Sequence, residues 1–170
     1  MKKSFTLLEL LISITLFSII VVFLYKTIDQ TKHSNNLFSD KEQTLKESNH
    51  LHNIFLEDIA ESSNITITSD KNKNSIVKIV TNNTYHNASF NNITYLINSS
   101  KKLVRIESYQ AFNELQPMTL DFEANSYIDV LLEDIELFEL KNSGVNYNFL
   151  LKQKDRDRSF FNTYKLGKNL

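Results

Sequence analysis

The sequence lacks cysteine and tryptophan, and its 170 residues include only two glycines and one proline. The absence of cysteine excludes disulfides, thiolate metal ligands and cysteine nucleophiles. The scarcity of glycine excludes glycine-rich phosphate loops and the glycine-flanked nucleophile elbow. The formal net charge of -1 argues against nucleic acid as the main partner. No metal site or cofactor is predicted, and no catalytic motif stands out.

The apolar residues that are present are concentrated near the N-terminus. Sixteen of the 21 residues at positions 5–25 are apolar, and as a helix they would span about 31 Å, the thickness of a hydrocarbon core. Lys2 and Lys3 precede this run and favour a cytoplasmic N-terminus. A cleaved secretory signal peptide fits poorly, because the run is long and no small-x-small cleavage site follows it. An ordinary signal anchor does not account for Glu9, since an ionisable residue in a membrane helix is costly and usually functional.

Residues 2–12 read Lys-Lys-Ser-Phe-Thr-Leu-Leu-Glu-Leu-Leu-Ile, which resembles the prepilin signature of type IV pilins and type II secretion pseudopilins. The resemblance implies cleavage between Ser4 and Phe5 by prepilin peptidase, followed by N-methylation of Phe5. Glu9 would then be the fifth residue of the mature chain, the position of the family's assembly glutamate. Ser4 stands where the family usually has glycine, and because serine is also small we expect processing to occur.

A physical argument supports the implied role of Glu9. Cleavage would create a free α-amine at Phe5, and a carboxylate and an ammonium that meet in a low-dielectric environment each lower the other's cost. In a staggered bundle, the amine of one subunit can meet the glutamate of its neighbour and set the register. The alternative is that Glu9 lies close enough to the membrane interface to reach water.

From residue 26 to about residue 62 the sequence has neither glycine nor proline. Apolar or semi-apolar residues recur at a spacing of seven, at Phe38, Leu45, His52 and Ile59. This spacing predicts an amphipathic helix with one buried face. We therefore expect one helix over about residues 5–62, although Asp40 could start a separate helix.

After residue 62 the sequence changes to short β-rich runs, which predict an antiparallel sheet packed on the helix in an α+β fold. The predicted strands are residues 65–68, 76–80, 93–97, 103–107, 118–122, 128–132, 135–140, 147–152 and 160–166. The third and fourth strands are predicted to form a hairpin through a five-residue loop, and a helix over 128–140 is the alternative to two strands there. Asparagine is abundant and tolerates left-handed backbone, so we expect it to supply turns that glycine usually makes.

The order of these parts adds a looser resemblance. A helix ends with Leu-Glu-Asp-Ile at residues 56–59, a hairpin joins Tyr-Leu-Ile at 95–97 to Leu-Val-Arg-Ile-Glu at 103–107, and an apolar segment ends with Phe at 129–138. This order resembles the J-type minor pseudopilins and the related W-type minor pilins. The patterns do not separate a type II secretion pseudopilus from a type IV pilus.

The resemblance implies four segments in the lollipop shape of the family. Residues 1–4 would be the cleaved leader, residues 5–25 the transmembrane and assembly helix, residues 26–62 its amphipathic continuation, and residues 63–170 a periplasmic β-rich globular domain. The chain would then be a structural subunit with no enzymatic activity, anchored by one span in the bacterial inner membrane. It would lie at or near the filament tip and initiate assembly for protein secretion.

The implied partners are other pilins or pseudopilins in a hetero-oligomeric tip complex, the prepilin peptidase and N-methyltransferase, the inner-membrane assembly platform and the membrane itself. No nucleic acid contact is predicted. The residues alone leave a second interpretation open, in which the chain is a membrane-anchored periplasmic binding or sensor module that keeps its leader.

Charge is unevenly distributed in the second half of the chain. Residues 118–139 carry a net charge of -7 with no lysine or arginine, whereas residues 141–168 carry +5. The two segments could form unlike contact surfaces between subunits. We favour the alternative that they lie side by side in one fold or form solvated faces.

Overall fold

The computed structural model describes residues 6–114, 116 and 118–166. The chain divides into two compact units, residues 1–48 and residues 49–170. The predicted processing residues Ser4 and Phe5, and the predicted topology residues Lys2 and Lys3, lie outside the described residues.

One helix, α1, runs without interruption from Leu7 to Ala60. This confirms the prediction of a single long helix, and Asp40 does not start a second one. In the first unit nearly every described side chain is exposed, including Phe38 at 70% and Leu45 at 62%. The predicted buried face is therefore wrong at these two positions. A spacing of seven creates an apolar stripe, but burial needs a partner surface, and the buried residues of α1 begin only at Leu51.

The second unit contains the end of α1, eight strands and a short helix. The strands are β1 (Ser62–Ser69), β2 (Ser75–Thr81), β3 (Asn92–Ile97), β4 (Leu103–Ser108), β5 (Ser126–Leu132), β6 (Ile135–Ser143), β7 (Asn146–Gln153) and β8 (Arg158–Tyr164), with α2 (Leu120–Ala124) before β5. They form a five-stranded sheet in the order β1-β2-β3-β4-β5, called sheet A, and a three-stranded sheet in the order β6-β7-β8, called sheet B. Every strand pair is antiparallel, which confirms the predicted α+β class.

The core of the second unit is centred on Phe55 of α1, whose side chain is fully buried. Its ring stacks on Phe149 of β7 with 3.9 Å between centroids, and it meets the edge of Tyr95 on β3 at 5.3 Å. Because Tyr95 lies in sheet A and Phe149 in sheet B, one helical side chain joins both sheets. The buried positions of α1, which are Leu51, Ile54, Phe55, Asp58 and Ile59, follow the helical period of three and four.

Two short polar side chains join sheet A to sheet B directly. The backbone N–H of Phe138 donates to Asn74 Oδ1 at 3.1 Å, and that of Leu140 donates to Ser75 Oγ at 2.9 Å. Both acceptors are buried just before or at the start of β2. They supply partners for amides of the edge strand β6, which would otherwise be buried without a hydrogen bond.

The segment between β4 and β6 differs from the prediction in two places. Residues 118–122 were predicted as a strand, but α2 begins there because the Thr119 hydroxyl accepts the backbone N–H of Phe122 at 3.2 Å and caps a helical turn. The alternative of one helix over residues 128–140 is wrong, since β5 and β6 are separate strands. A tight turn divides them, in which Asp134 has φ of 55°.

Asparagine shapes the turns in a different way from the one predicted. Among the described residues, the left-handed positions belong to Lys73, Lys101, Asp134, Asp155 and Gly144, not to asparagine. In the hairpin between β3 and β4, the side chain of Asn98 instead accepts two backbone N–H groups of the loop, each at 3.0 Å. Asparagine therefore acts here through side-chain hydrogen bonds that close the loop.

Candidate functional site

The start of α1 is held by a reciprocal pair of hydrogen bonds between Thr6 and Glu9. The backbone N–H of Glu9 donates to Thr6 Oγ1 at 3.3 Å, and the backbone N–H of Thr6 donates to Glu9 Oε2 at 3.0 Å. The Thr6 hydroxyl also donates to Glu9 Oε2 at 3.0 Å. This is a capping box, which satisfies donors that every helix leaves unpaired at its N-terminus. The sequence pattern Thr-x-x-Glu is the signature of this motif, so Glu9 has a local structural role in addition to its predicted role in assembly.

The capping box fixes where the Glu9 carboxylate points. Oε2 accepts both donors of Thr6, so the carboxylate is turned back toward the N-terminal end of the helix. Oε1 makes no hydrogen bond to any described residue. One oxygen of Glu9 is thus committed to its own helix, and the other can accept a further cationic or hydrogen-bond donor.

The remaining polar groups near Glu9 are satisfied within the helix. The hydroxyl of Ser13 donates to the Glu9 carbonyl at 2.8 Å, and that of Thr15 donates to the Ile12 carbonyl at 2.8 Å. Such bonds let hydroxyls lie in an apolar environment without unpaired donors. Glu9 is then the only acidic or basic residue among positions 6–25. In the described chain, α1 is the one helix long and apolar enough to cross a membrane.

A second polar cluster lies in the interior of the other unit, where α1 meets sheet A. Arg105 of β4 donates from Nε to Asp58 Oδ2 at 2.8 Å and from Nη2 to Asp58 Oδ1 at 3.1 Å. Its Nη1 donates to Glu107 Oε2 at 2.9 Å. The three side chains are at most 1% exposed. A bidentate guanidinium–carboxylate pair of this kind fixes both distance and orientation between helix and strand.

Two tyrosines complete this cluster on the sheet side. The hydroxyl of Tyr95 on β3 donates to Asp58 Oδ2. The ring of Tyr85 lies 4.6 Å from the guanidinium carbon of Arg105, and the Tyr85 hydroxyl donates to Glu57. Among the described residues, no buried side-chain nitrogen or oxygen lacks a hydrogen-bond partner. The cluster is therefore a closed network that clamps the end of α1 to sheet A.

Glu107 extends the clamp to the loop between β2 and β3. Its Oε2 accepts the backbone N–H of Tyr85, and its Oε1 accepts those of His86 and Asn87, each at 3.0 Å. Three consecutive backbone amides thus converge on one carboxylate. Since residues 85–87 belong to no helix or strand, this carboxylate is what orders their backbone.

The network also determines the charge states of its members. Burial alone would lower the pKa of Arg105, but the bonds to its two carboxylates raise that pKa above the ordinary value, so the guanidinium remains charged. Burial raises the pKa of the Asp58 carboxyl, and Arg105 opposes part of that rise. Burial and the neighbouring Asp58 raise the pKa of Tyr95, which stays a neutral donor.

Glu107 is shifted in the opposite direction from Asp58. Burial would raise its pKa, but the three backbone amides and the Arg105 guanidinium together lower that pKa below the usual range. These donors all bind the charged form, which explains the direction. The folded state therefore favours the Glu107 carboxylate over its protonated form.

The structure brings together residues from two of the segments that carry the looser resemblance, the end of the helix and the hairpin. Asp58 comes from the segment that ends the helix, Tyr95 from the first strand of the hairpin and Arg105 from the second. No sequence pattern links Tyr85, in the loop between β2 and β3, to this cluster. The available signal was two charged residues, Arg105 and Glu107, on one face of an otherwise apolar strand.

The acidic segment 118–139 pairs mostly with cations outside the basic segment. Asp129 bonds to His86 at 2.9 Å, and Glu133 pairs with Lys102. Among the ion pairs of the described residues, only that of Glu139 with Lys141, at 3.0 Å, joins the acidic segment to the basic one. The acidic residues without an ion pair to any described residue are Asp121, Glu123, Asp134 and Glu136. Internal pairing therefore accounts for only part of the charge asymmetry.

Comparison with known protein families gives a match at the N-terminus. Residues 1–25 match a family described as the prokaryotic N-terminal methylation motif. The match confirms the prepilin resemblance and supports a relationship of the chain to the type IV pilin and pseudopilin family. No curated protein and no solved structure matches the chain. The motif and the apolar start of α1 together indicate membrane anchoring by a single N-terminal helix.

The clamp predicts that replacing the buried Arg105 strongly lowers the free energy of unfolding. Arg105→Ala leaves two buried carboxylates without their counter-charge, so we expect a loss of about 3–5 kcal/mol in the free energy of unfolding. Arg105→Lys keeps the charge but loses the bidentate fork, so its loss is expected to be smaller. Urea unfolding of the full chain in neutral detergent micelles, followed by tyrosine circular dichroism, measures both.

The matched control is Lys102→Ala, which removes a cation of the same hairpin from its exposed pair with Glu133. Its expected cost is about 1 kcal/mol or less. A loss for Arg105→Ala that does not exceed the loss for Lys102→Ala would contradict the clamp.

The lowered pKa of Glu107 predicts a pH dependence of stability. The stability contributed by a carboxylate with a lowered pKa is fully present above the unfolded glutamate value of about 4.3 and is lost as the pH falls toward the folded value. Glu107→Gln should therefore be less stable than the natural chain at pH 7, and this difference should shrink below about pH 4. Melting temperatures of both chains from pH 7 to pH 3 test this, with the exposed Glu61→Gln as control. A difference that stays constant over this range would be inconsistent with the assigned role.

Proposed function

We propose that the chain is a minor pseudopilin or pilin subunit that prepilin peptidase processes and that assembles at or near the tip of a periplasmic pseudopilus or type IV pilus. The observation that carries the proposal is the N-terminal methylation motif at residues 1–25. The family to which this motif points is structural, which agrees with an assembly role and no catalysis. Under this proposal the chain is anchored in the bacterial inner membrane with residues 63–170 in the periplasm, and it helps to initiate assembly for protein secretion.

Glu9 is proposed as the assembly residue, because its geometry fits a second partner. The Thr6 donors occupy Oε2, and they turn the carboxylate toward the end of the helix where cleavage would create the new α-amine. An ammonium of a neighbouring subunit could then be accepted by Oε1 in the low-dielectric environment of a membrane or filament core. The capping box would hold the carboxylate in place before the neighbour arrives.

The proposed partners follow from the same motif. They are other pilins or pseudopilins, the prepilin peptidase with its N-methyltransferase activity, and the inner-membrane assembly platform. The J-type or W-type subtype is supported by the contact of Asp58, Tyr95 and Arg105, since each residue stands in one of the segments that carry that looser resemblance.

Processing is tested by the intact mass of the chain after expression with an active prepilin peptidase. We expect the loss of residues 1–4 and the gain of one methyl group on Phe5. Ser4→Gly, which restores the residue usual in the family, should be processed at least as completely. A chain that still begins at Met1 or Lys2, in cells where a pilin control is cleaved, would favour the alternative of an unprocessed anchor with a binding or sensor role.

The role of Glu9 is tested by two substitutions, of which one can keep the capping box and the other cannot. Glu9→Gln keeps a side chain that can complete the capping box but removes the charge, whereas Glu9→Ala removes both. We expect both variants to insert in the membrane and both to lose co-purification with partner pilins, at least tenfold relative to the natural chain. Normal co-purification of Glu9→Gln would show that capping, and not the charge, is what assembly requires.

A further inference from the structure

Three of the four edge strands make a hydrogen bond with a group outside their own sheet. On β6, Asn74 and Ser75 accept two backbone N–H groups. On β8, the Asn162 carbonyl lies 3.1 Å from His52 Nε2 of α1. On β1, the Ser63 carbonyl accepts from Lys165 Nζ at 2.9 Å. Such contacts blunt strands that could otherwise pair with another chain.

The fourth edge strand, β5, is different. Within the described chain, no backbone atom of Ser126–Leu132 makes a hydrogen bond outside the ladder with β4. Its sequence contains no proline or lysine, two of the residues that protect an edge, and its one charged residue, Asp129, is engaged by His86 and Arg105. Ile128 and Val130 are 44% and 52% exposed on one face, and Tyr127 is 47% exposed on the other. β5 therefore combines an unpaired backbone edge with exposed residues that favour strand pairing.

The surroundings of β5 carry negative charge at both ends. Asp121 and Glu123 lie in α2 immediately before the strand, and Asp134 and Glu136 follow it. None of the four has an ion pair with a described residue. A strand of seven residues spans about 23 Å, and the chain carries two of these carboxylates within five residues of each of its ends.

This charge pattern decides between possible occupants. In an antiparallel pair of two β5 strands, the acidic residues before one strand would face those after the other, and like charges placed opposite each other are destabilising. The basic segment 141–168 is an unsuitable occupant, because its strands, the end of β6 with β7 and β8, already pair with one another in sheet B. The edge therefore fits a cationic segment of a different protein.

We propose that β5 accepts an extended segment of another protein as a sixth strand of sheet A, and that this segment has β-branched residues flanked by lysine or arginine at both ends. Main-chain hydrogen bonds to β5 would supply pairing, Ile128 and Val130 would pack against its apolar residues, and the flanking cations would select it. The proposal concerns residues 49–170 and does not depend on processing of the N-terminus.

The test uses three fluorescent nine-residue peptides and the full chain in neutral detergent micelles. The probe is Lys-Lys-Val-Thr-Val-Thr-Val-Lys-Lys. One control replaces its lysines by glutamate, and the other replaces its threonines by proline, which keeps the charge but cannot form a ladder. By fluorescence anisotropy we expect the probe to bind at least tenfold more tightly than either control, with an affinity that falls as salt rises. Hydrogen exchange should show new protection within residues 126–132.

The matched variants are two pairs of exposed apolar residues changed to lysine. Ile128→Lys with Val130→Lys should weaken probe binding at least tenfold, because lysine on an edge strand opposes pairing and here also repels the probe. Val145→Lys, in the turn between β6 and β7, with Phe160→Lys on β8 should leave binding unchanged.

Four outcomes of the peptide experiments would overturn the proposal. They are no binding of the probe, equal binding of the proline peptide, protection outside β5, and unchanged binding by the β5 double variant. A peptide-independent dimer in which residues 126–132 are protected would also overturn it, because it would identify a second copy as the occupant.

Discussion

The buried guanidinium of Arg105 is the constraint on which the β-rich unit depends. A charge that is only 1% exposed needs matched partners in fixed positions, and here those partners come from Asp58 of α1 and from Glu107 two residues away on the same strand. Through Asp58 the requirement fixes the end of the helix against sheet A. Through Glu107 it reaches the backbone of residues 85–87. One side chain thus ties a helix, a hairpin and a loop to a single geometry.

The apolar core makes this polar clamp possible, and the clamp in turn makes the core specific. Phe55 packs between Tyr95 of one sheet and Phe149 of the other, so water is kept from the ion pair three residues along the helix. Apolar packing alone is non-directional and tolerates sliding of a helix along a sheet. The bidentate pair does not tolerate sliding, because a shift of one helical residue would leave a buried charge without its partner.

The sequence predicted those features that depend on local periodicity. The long helix followed from a stretch without glycine or proline, and the hairpin of β3 and β4 followed from two β-branched runs around a polar loop. The strand predicted at residues 118–122 failed because the hydroxyl of Thr119 caps a helical turn, which outweighs a short apolar alternation. The contact of Asp58 with Arg105 joins residues 47 positions apart, so it depends on tertiary topology that no local pattern records. The capping box of Thr6 and Glu9 depends on local sequence alone, and its Thr-x-x-Glu pattern lies within the prepilin signature.

The apolar side chains of α1 differ in whether the chain itself buries them. Its residues 51–59 find partners within the chain, whereas the apolar side chains of residues 7–25 remain exposed, which is a cost that only a membrane or other subunits can remove. The strand β5 presents the corresponding problem for hydrogen bonds, since its backbone edge has no partner in the described chain. Acidic residues at both ends of β5 oppose pairing between identical copies, and they leave the edge available to a cationic strand. In the proposed interaction, the acidic residues of segment 118–139 that lack an ion pair in the described chain select the partner at this edge, whereas Asp129, Glu133 and Glu139 form internal pairs.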